Sequence, residues 1–163
     1  MTSANENFVH LSSNYLDSEF IFRKQLLDID EDKEAREKRV YVKVCIDDLL
    51  FLIPLRSNIS NLTKNSALKN CFFEVPSSTR PNAGLDFTKA VLVENEDLME
   101  CDGAFAHSQK QRILSNYSLI ESMYKTYYER FKKSLKKNRT DRDQEFKYCV
   151  LRNHEDKIRC KIT

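Results

Sequence analysis

The sequence predicts an α+β protein in which several antiparallel strands pack against one long amphipathic helix. Three observations support this class: two β-rich runs joined by two turn residues, several further short β-rich runs, and one long segment with helical periodicity. Strands that follow one another closely favour antiparallel pairing, and a long helix can cover one face of the sheet. With 163 residues, the chain is predicted to form one domain, residues 1–163.

The strongest strand signal spans residues 40–55. The runs VYVKVCI and LLFLIPL flank Asp47 and Asp48, and this arrangement predicts a tight hairpin. The second run is almost entirely apolar, so it is predicted to lie in the centre of the sheet. The turn contains no glycine, the residue that most readily supplies the positive φ of such turns.

Shorter runs predict the other elements. FVHL at residues 8–11 is apolar, and CFFEV at 71–75, LDFTKAVLV at 85–93 and FKYCVLR at 146–152 are predicted strands. The acidic residues 94–105 are predicted to form a loop or short helix. A small helix is predicted to start at Ser12 or Ser13, and the charged residues 23–38 are predicted to form a solvated helix or loop.

One long helix is predicted from about residue 109 to residue 137. Its apolar face is formed by residues spaced three and four apart: Ile113, Tyr117, Ile120, Tyr124, Tyr127, Phe131 and Leu135. Residues 130–142, RFKKSLKKNRTDR, contain seven basic residues and one acid. This run predicts either a solvated helix face or a surface that contacts phosphates.

Composition and motifs exclude several classes of protein. The net charge of +2 does not by itself indicate a nucleic-acid partner. The five cysteines form no CxxC pair and no zinc spacing, so they are predicted to be reduced. The sequence contains no HExxH, GxSxG, P-loop or GxGxxG motif, and we predict neither a metal nor a cofactor. Without a signal-peptide pattern or an apolar run of about 18 residues, a cytoplasmic protein is predicted, with no membrane partner.

The strongest candidate site follows the predicted central strand. Arg56, Ser57 and Asn58 come directly after Pro54 and Leu55. A guanidinium can bind a phosphate through two hydrogen bonds, and a hydroxyl and an amide can add more. The alternative is structural: Arg56 would pair with a surface acid, and the other two side chains would cap the next helix.

Three other residues are candidates for the same chemistry. Lys89 lies in the run LDFTKAVLV, His107 is suited to proton transfer near neutral pH, and Tyr15 can donate a hydrogen bond or stack on a base. Each also has a structural interpretation: an outward-facing strand lysine, a capping histidine or a packed tyrosine. The predicted start of the long helix, where free N–H groups favour an anion, adds Gln109, Lys110 and Arg112.

These side chains permit cleavage of RNA without a metal. RNA carries its own nucleophile, the 2′-hydroxyl, so an enzyme has only to remove its proton, stabilise the charge on phosphorus and protonate the 5′ oxygen that leaves. DNA lacks that nucleophile. Cations and hydroxyls around one phosphate would suffice.

The order of motifs resembles the toxins of type III toxin–antitoxin systems, the ToxN/AbiQ superfamily, and most of all its TenpN branch. The matching segments are FVHLSSNYL, YVKVCIDDLLFLIPLRSNI, GLDFTKAVLV and HSQKQRIL, which together span most of the chain. The resemblance implies a compact, twisted antiparallel sheet, a barrel like that of the MazF and Kid toxins, with flanking helices. It implies a metal-independent, sequence-specific endoribonuclease that leaves 2′,3′-cyclic phosphate and 5′-hydroxyl ends.

The same resemblance implies the partners. A small repeated RNA antitoxin, folded as pseudoknots and processed by the toxin, would inhibit the enzyme in an RNA-bridged homo-oligomeric complex. Cellular or phage mRNA would be the substrate, and the system would abort phage infection or stabilise a plasmid. Two alternatives remain: a non-catalytic RNA-binding module that uses the same basic helix, and an unrelated α+β protein whose polar cluster only caps a helix.

By position, the resemblance implies catalytic roles for Tyr15, Ser57 and Lys89. The hairpin of the superfamily ends in Pro-Leu-[Thr/Arg]-Ser; Arg56 stands where ToxN has threonine, and Ile59 stands where ToxN has lysine. Arg56, Lys64 or Lys89 could replace that lysine, and His107 could transfer the proton. The residues predicted to bind RNA are Asn58, Lys64, Lys110, Arg112, Lys132, Lys133, Lys136 and Lys137.

Overall fold

The computed structural model describes residues 7–12, 39–100 and 105–162. Tyr15, the small helix predicted after residue 12 and the charged segment 23–38 lie outside these ranges. The four described helices are α1 (Ser60–Thr63), α2 (His107–Ser115), α3 (Tyr117–Lys136) and α4 (Glu155–Arg159).

Seven antiparallel strands form one sheet in the described part of the chain. They are β1 (Phe8–Leu11), β2 (Tyr41–Ile46), β3 (Leu49–Arg56), β4 (Phe72–Glu74), β5 (Gly84–Asp86), β6 (Val91–Val93) and β7 (Leu98–Glu100). Their order is β4-β5-β3-β2-β1-β7, and β6 also pairs with β3. The first half of β3 pairs with β6, whereas its last residues, Leu55 and Arg56, pair with β5. The predicted α+β class, with antiparallel strands and a long helix, is confirmed.

The sheet is open rather than a closed barrel. In the described residues, β4 and β7 stand at the two ends of the order and do not pair. At the β4 end, the main-chain carbonyls of Glu74 and Val75 accept hydrogen bonds from the side chains of Arg112 and Gln109 on α2, at 2.7 and 2.8 Å. A helix rather than another strand therefore satisfies these carbonyls, and the barrel that the resemblance implied is wrong for this part of the chain.

The hairpin predicted between residues 40 and 55 is confirmed, and aspartates form its turn. β2 and β3 pair residue by residue from Ile46 and Leu49 to Tyr41 and Pro54. Asp47 and Asp48 both have positive φ, 52° and 64°. Two consecutive residues in this region form the turn that matches the twist of paired strands, and aspartate tolerates it better than most residues.

The helix predicted over residues 109–137 is interrupted. α2 ends at Ser115, Asn116 has φ −117° and ψ 15°, and α3 starts at Tyr117. Asn116 Nδ2 donates to the carbonyl of Arg112 at 2.7 Å. This side chain competes with the helical main chain, as asparagine often does, and the helix changes direction there.

The apolar face of α3 agrees with the predicted periodicity. The fully buried members of α3 are Ile120, Tyr124, Tyr127, Tyr128, Phe131 and Leu135. The ring centroid of Phe51 on β3 lies 5.3 Å from that of Tyr124 and 4.8 Å from that of Tyr128. Aromatic pairs at such distances add to the stabilisation that burial provides. α3 is therefore fixed against the middle of the sheet.

The strand predicted over residues 85–93 is divided in two. Asp86 Oδ1 accepts hydrogen bonds from Thr88 N at 2.9 Å and from Thr88 Oγ1 at 2.5 Å. These bonds form a 3-10 turn over Phe87–Lys89 between β5 and β6. Lys89 consequently stands at the end of a turn and not inside a strand.

The strand predicted over residues 146–152 is wrong. Turns and a 3-10 helix, Val150–His154, occupy this segment. Phe146, Cys149 and Val150 are buried, whereas Tyr148 is 67% exposed. The buried positions are three and four residues apart, which is helical spacing, rather than the two-residue alternation of a strand.

One further detail differs from expectation. The acidic segment after β6 contains both a 3-10 turn, Asn95–Asp97, and the unpredicted strand β7. Among the described cysteines, Cys71 and Cys149 are buried but Cys45 is exposed, because its position on β2 faces away from the core.

Candidate phosphate-binding site and nucleic-acid interface

A cavity of about 290 Å³ lies at the end of β3, and we call it the strand-end cavity. It forms where β3, the 3-10 turn after β5 and the segment after α3 meet. Its lining residues are Arg56, Asn61, Leu62, Leu68, Thr88, Lys89, Gln144, Glu145 and Tyr148. The structure therefore brings together Arg56 and Lys89, two of the predicted catalytic residues.

Arg56 is held in place by a buried carboxylate. Its Nη1 donates to Asp86 Oδ2 at 2.9 Å, and the Arg56 side chain is only 13% exposed while that of Asp86 is fully buried. Asp86 is itself fixed by Thr88, which binds its other oxygen. The alternative that Arg56 pairs with an acid is thus observed, but the acid is internal. A buried pair of this kind orients the guanidinium towards the cavity that it lines.

Lys89 reaches the same cavity because the chain turns at Asp86. The lysine ends the 3-10 turn and is partly buried. Its charge also acts on the neighbouring thiol of Cys149: burial raises the pKa of that thiol to about 11, although Lys89 is among the groups that lower it. Two cations therefore face one small cavity.

Ser57 and Asn58 do not line the strand-end cavity. Ser57 is exposed next to Arg56. Asn58 Oδ1 accepts a hydrogen bond from Ser60 N, the first residue of α1, at 2.9 Å. The Asn58 side chain therefore fixes the start of α1, which is the structural role considered for it above.

Ile59, which stands where the resemblance implied a lysine, belongs to the core. It is 1% exposed, and a Cβ atom on Gly84 would lie 2.3 Å from its Cδ1. Only glycine at position 84 permits this approach. A solvated cation has no room at position 59, so the positive charge of the site comes from other residues.

The start of α2 is a separate surface. His107 is exposed there and lines none of the cavities described here. The Arg112 guanidinium lies 5.1 Å from the Phe73 ring centroid and Lys110 Nζ lies 6.0 Å from that of Phe8. These cations hold α2 against the sheet. Lys64, which is exposed after α1, does not line the strand-end cavity.

The segment 143–149 supplies three residues of the strand-end cavity that the sequence analysis did not identify: Gln144, Glu145 and Tyr148. α3 holds this segment. Ser134 Oγ donates to Asp143 Oδ2 at 2.6 Å, and Tyr127 Oη donates to the Glu145 carbonyl at 3.1 Å. The rings of Tyr127 and Phe131 also pack on Phe146, with centroids 5.4 and 5.5 Å apart. The helical spacing of Phe146, Cys149 and Val150 in the sequence was the signal from which the exposure of Tyr148 could have been predicted.

A second cavity, of about 230 Å³, adjoins the first and is called the helix-end cavity. Its lining residues are Arg130, Lys133, Ser134, Lys137, Arg139, Asp143, Glu145 and Phe146. Glu145 lines both cavities and separates them. Arg130 binds its Oε2 through Nε at 2.9 Å and through Nη2 at 2.6 Å. Positive charge therefore continues from the strand-end cavity to the end of α3.

The remaining basic residues of α3 differ in their surroundings. Lys132 Nζ lies 2.9 Å from Glu129 Oε1, 3.1 Å from Asp47 Oδ2 and 4.9 Å from the Tyr128 ring centroid. Burial lowers its pKa, but the hydrogen bonds that Lys132 donates to the carboxylates of Glu129 and Asp47 outweigh this and raise it. Lys136 is exposed at a third cavity of about 250 Å³, which Lys132 and Lys133 also line. Lys132 thus links α3 to the β2–β3 hairpin.

The described part of the chain contains neither a cluster of candidate metal ligands nor a helix suited to cross a membrane. In residues 7–12, 39–100 and 105–162, no group of three His, Cys, Asp or Glu side chains is arranged to hold a metal ion. None of the helices in these ranges combines the length and apolarity needed to cross a bilayer.

The fold and the site define an α+β protein with a cation-lined cavity at the end of its central strand. Its fold is similar to that of a chain in a solved structure of a bacterial antiviral system regulated by a processed non-coding RNA. The TM-score is 0.61 at 17% sequence identity, over 88% of this chain and 94% of that chain. No protein-family model and no curated protein matches the sequence.

Proposed function

We propose that this protein is the toxin of a type III toxin–antitoxin system and a metal-independent endoribonuclease. The observation that carries the proposal is the meeting of Arg56, Lys89 and Glu145 at one cavity. The similarity of fold to a chain of an antiviral system regulated by non-coding RNA supports the same class. The ordered motifs of the ToxN/AbiQ superfamily, most like its TenpN branch, support it independently.

Each of the three groups suits one part of the reaction. Glu145 accepts the proton of the RNA 2′-hydroxyl, because both contacts from Arg130 end on Oε2 and leave the Oε1 side for the substrate. The 2′ oxygen then bonds to phosphorus. Arg56 stabilises the negative charge that builds up on the phosphoryl oxygens. As the bond from phosphorus to the 5′ oxygen breaks, Lys89 donates a proton to that oxygen.

The products of this reaction are a 2′,3′-cyclic phosphate and a 5′-hydroxyl. The exposed hydroxyl of Ser57, beside Arg56, would contact the same phosphate. The helix-end cavity would bind the phosphates that follow along the strand, through Lys133 and Lys137. Roles for His107 and Tyr15 stay predictions, since the one lies outside the cavity and the other outside the described residues.

The central test compares Arg56→Lys with the wild type and with Arg80→Lys. Arg80 is exposed and lines none of the three cavities, so it is a matched control. On expression in a bacterium, the wild type and Arg80→Lys should stop growth and cut RNA to cyclic-phosphate ends. Arg56→Lys should cut at least about tenfold more slowly, because lysine loses the bidentate geometry. A chelator should leave cleavage intact.

Intact transcripts and normal growth with the wild type would overturn the proposal. Circular dichroism on both variants separates a lost activity from a lost fold, since Arg56 also neutralises Asp86. Loss of cleavage on addition of the chelator would refute the metal-independent mechanism alone.

The proposed partners follow from the same class. A small repeated RNA that folds as a pseudoknot would bind the basic surface, inhibit cleavage and bridge toxin copies into a homo-oligomeric complex in the cytoplasm. Cellular or phage mRNA would be the substrate. Native mass spectrometry with the RNA transcribed from repeats beside the gene would give the ratio of RNA to toxin.

A non-catalytic RNA-binding module is the second candidate. It is favoured by one observation: cations line the helix-end cavity, whether or not any chemistry occurs at the first. Such a module would bind RNA with an affinity that falls steeply as salt rises, and it would produce no cyclic phosphate.

A further inference from the structure

Packing against its neighbours does not account for the position of the Tyr148 side chain, which is exposed. It is 67% exposed, whereas Phe146 and Cys149, close to it in the chain, are 3% and 2% exposed. Only one other large apolar or aromatic side chain in the described residues is strongly exposed, Leu119 at 52%. Tyr148 also lines the strand-end cavity, and Leu119 lines none of the three.

The backbone around Tyr148 is fixed, so the ring is presented by a rigid segment. The Tyr127 hydroxyl lies 3.1 Å from the Glu145 carbonyl and 3.1 Å from Cys149 Sγ. On the C-terminal side, Arg152 Nη1 donates to the carbonyl of Lys147 at 2.7 Å. Because the main chain is fixed and a tyrosine side chain has only two torsion angles, the ring loses little freedom on binding a base.

The surroundings of Tyr148 indicate the chemistry of its ligand. Lys147 Nζ lies 5.5 Å from the centroid of its ring, and Arg56 and Lys89 line the same cavity. An aromatic face beside cations suits a ligand that combines a flat ring with a nearby negative charge. An unpaired nucleotide has both, whereas the bases of a duplex are stacked on each other and unavailable.

We propose that Tyr148 and Gln144 form a base-binding subsite at the rim of the strand-end cavity, for an unpaired nucleobase of single-stranded RNA. The base stacks on the Tyr148 ring, the adjoining phosphate lies towards Arg56 and Lys89, and the Gln144 amide contacts the edge of the base. This inference rests on the proposed RNA substrate, and it assigns to the site a position at which the sequence of the RNA can be recognised.

The chain contains no tryptophan, which allows a direct test. Tyr148→Trp introduces a single tryptophan at the subsite, and its fluorescence is quenched when a base stacks on it. The probe is a 2′-O-methyl single-stranded oligonucleotide, which lacks the nucleophile and cannot be cleaved. Leu119→Trp is the matched control, because it lies about 17 Å before Arg130 along α3.

Saturable quenching is expected for Tyr148→Trp with the single strand, weak quenching with a blunt duplex, and none for Leu119→Trp. An oligonucleotide with one abasic position should fail to quench only when that position occupies the subsite. With unmodified RNA, Tyr148→Ala should raise KM about tenfold or more with a smaller change in kcat, and Tyr148→Phe should retain the wild-type KM.

The test separates this inference from the proposed function. If the wild type cleaves RNA but bound oligonucleotide leaves the Tyr148→Trp fluorescence unchanged, the subsite is refuted and the nuclease stands. If the fluorescence of Tyr148→Trp is quenched but the wild type cleaves no RNA, the protein has the subsite and binds RNA without being a nuclease. Equal quenching by duplex and single strand would overturn the claim that the base is unpaired.

Discussion

At the scale of single residues, Glu145 is notable as a carboxylate that lies among the cations of the candidate site. It lines both cavities, and Arg130 neutralises it through two contacts on one oxygen. A carboxylate beside a phosphate site would otherwise repel RNA. In the proposed reaction, the contacts with Arg130 would offset this repulsion and hold the Glu145 carboxylate in place beside the RNA.

This position leads to a prediction for Glu145→Gln. The amide cannot take the 2′-hydroxyl proton, so kcat should fall by about 10² or more. Because the substitution also removes a negative charge from the RNA path, KM should stay the same or decrease. Glu121→Gln, at an exposed position of α3 that lines none of the three cavities, should change neither constant. A raised KM with an unchanged kcat would exclude Glu145 as the base.

At the scale of elements, the β2–β3 hairpin shows how far local sequence determines structure. Alternation and apolarity predicted both strands, and the two aspartates accept the positive φ that the turn requires. Aspartate adopts the left-handed backbone region at a free-energy cost that glycine does not have. Asp47 also accepts a hydrogen bond from Lys132 of α3 at 3.1 Å, so it has a second role in addition to forming the turn.

We therefore expect Asp48→Gly to stabilise the protein. At φ 64° a glycine relieves the strain on the left-handed backbone, and the gain should be about 1 kcal/mol, or an increase in Tm of roughly 2–4 °C. Differential scanning calorimetry measures it. Asp47→Gly is the comparison, since it relieves similar strain but loses the contact with Lys132, and it should gain less. A lower Tm for Asp48→Gly would contradict the role assigned to the turn.

The elements that sequence did not predict share a physical cause. Residues 85–93 have the composition of a strand, but two hydrogen bonds from Thr88 to Asp86 turn the chain and divide it. Residues 146–152 are β-rich as well, yet contacts with α3 override that preference. Arg56 was identified from its residue type and its position after the central strand, and Lys89 from its residue type and the resemblance. Their meeting at one cavity, and the presence of Glu145 and Tyr148 there, depend on these tertiary contacts.

At the scale of the whole molecule, charge is distributed unevenly. The net charge is only +2, but the strand-end and helix-end cavities adjoin and carry cations from Arg56 to Lys137. An extended polyanion, such as the proposed single-stranded RNA, could contact the cations of both cavities, whereas a small phosphate ester could not. α3 contributes two of these cations, Arg130 and Lys133, and its other face contributes aromatic side chains to the core.

Because α3 supports both the core and the cavities, the free energy of unfolding at alkaline pH tests the packing behind the site. Burial raises the pKa of the Cys149 thiol from 9.0 to about 11. A group whose pKa is raised on folding stabilises the folded state fully below its unfolded pKa, and this contribution is lost as pH rises through the folded value. The free energy of unfolding should therefore fall between pH 9 and 11, by about 2 kcal/mol from this thiol.

Urea denaturation at pH 8, 9, 10 and 11 measures this effect. Cys149→Ala should be less stable than the wild type at pH 8, because it leaves a small cavity, but its stability should fall less steeply with pH. Cys45→Ala is the control, since Cys45 is exposed and should leave the wild-type slope unchanged. If Cys149→Ala keeps the full wild-type slope, other groups cause the alkaline loss, and the thiol is not sealed between α3 and the turn that carries Tyr148.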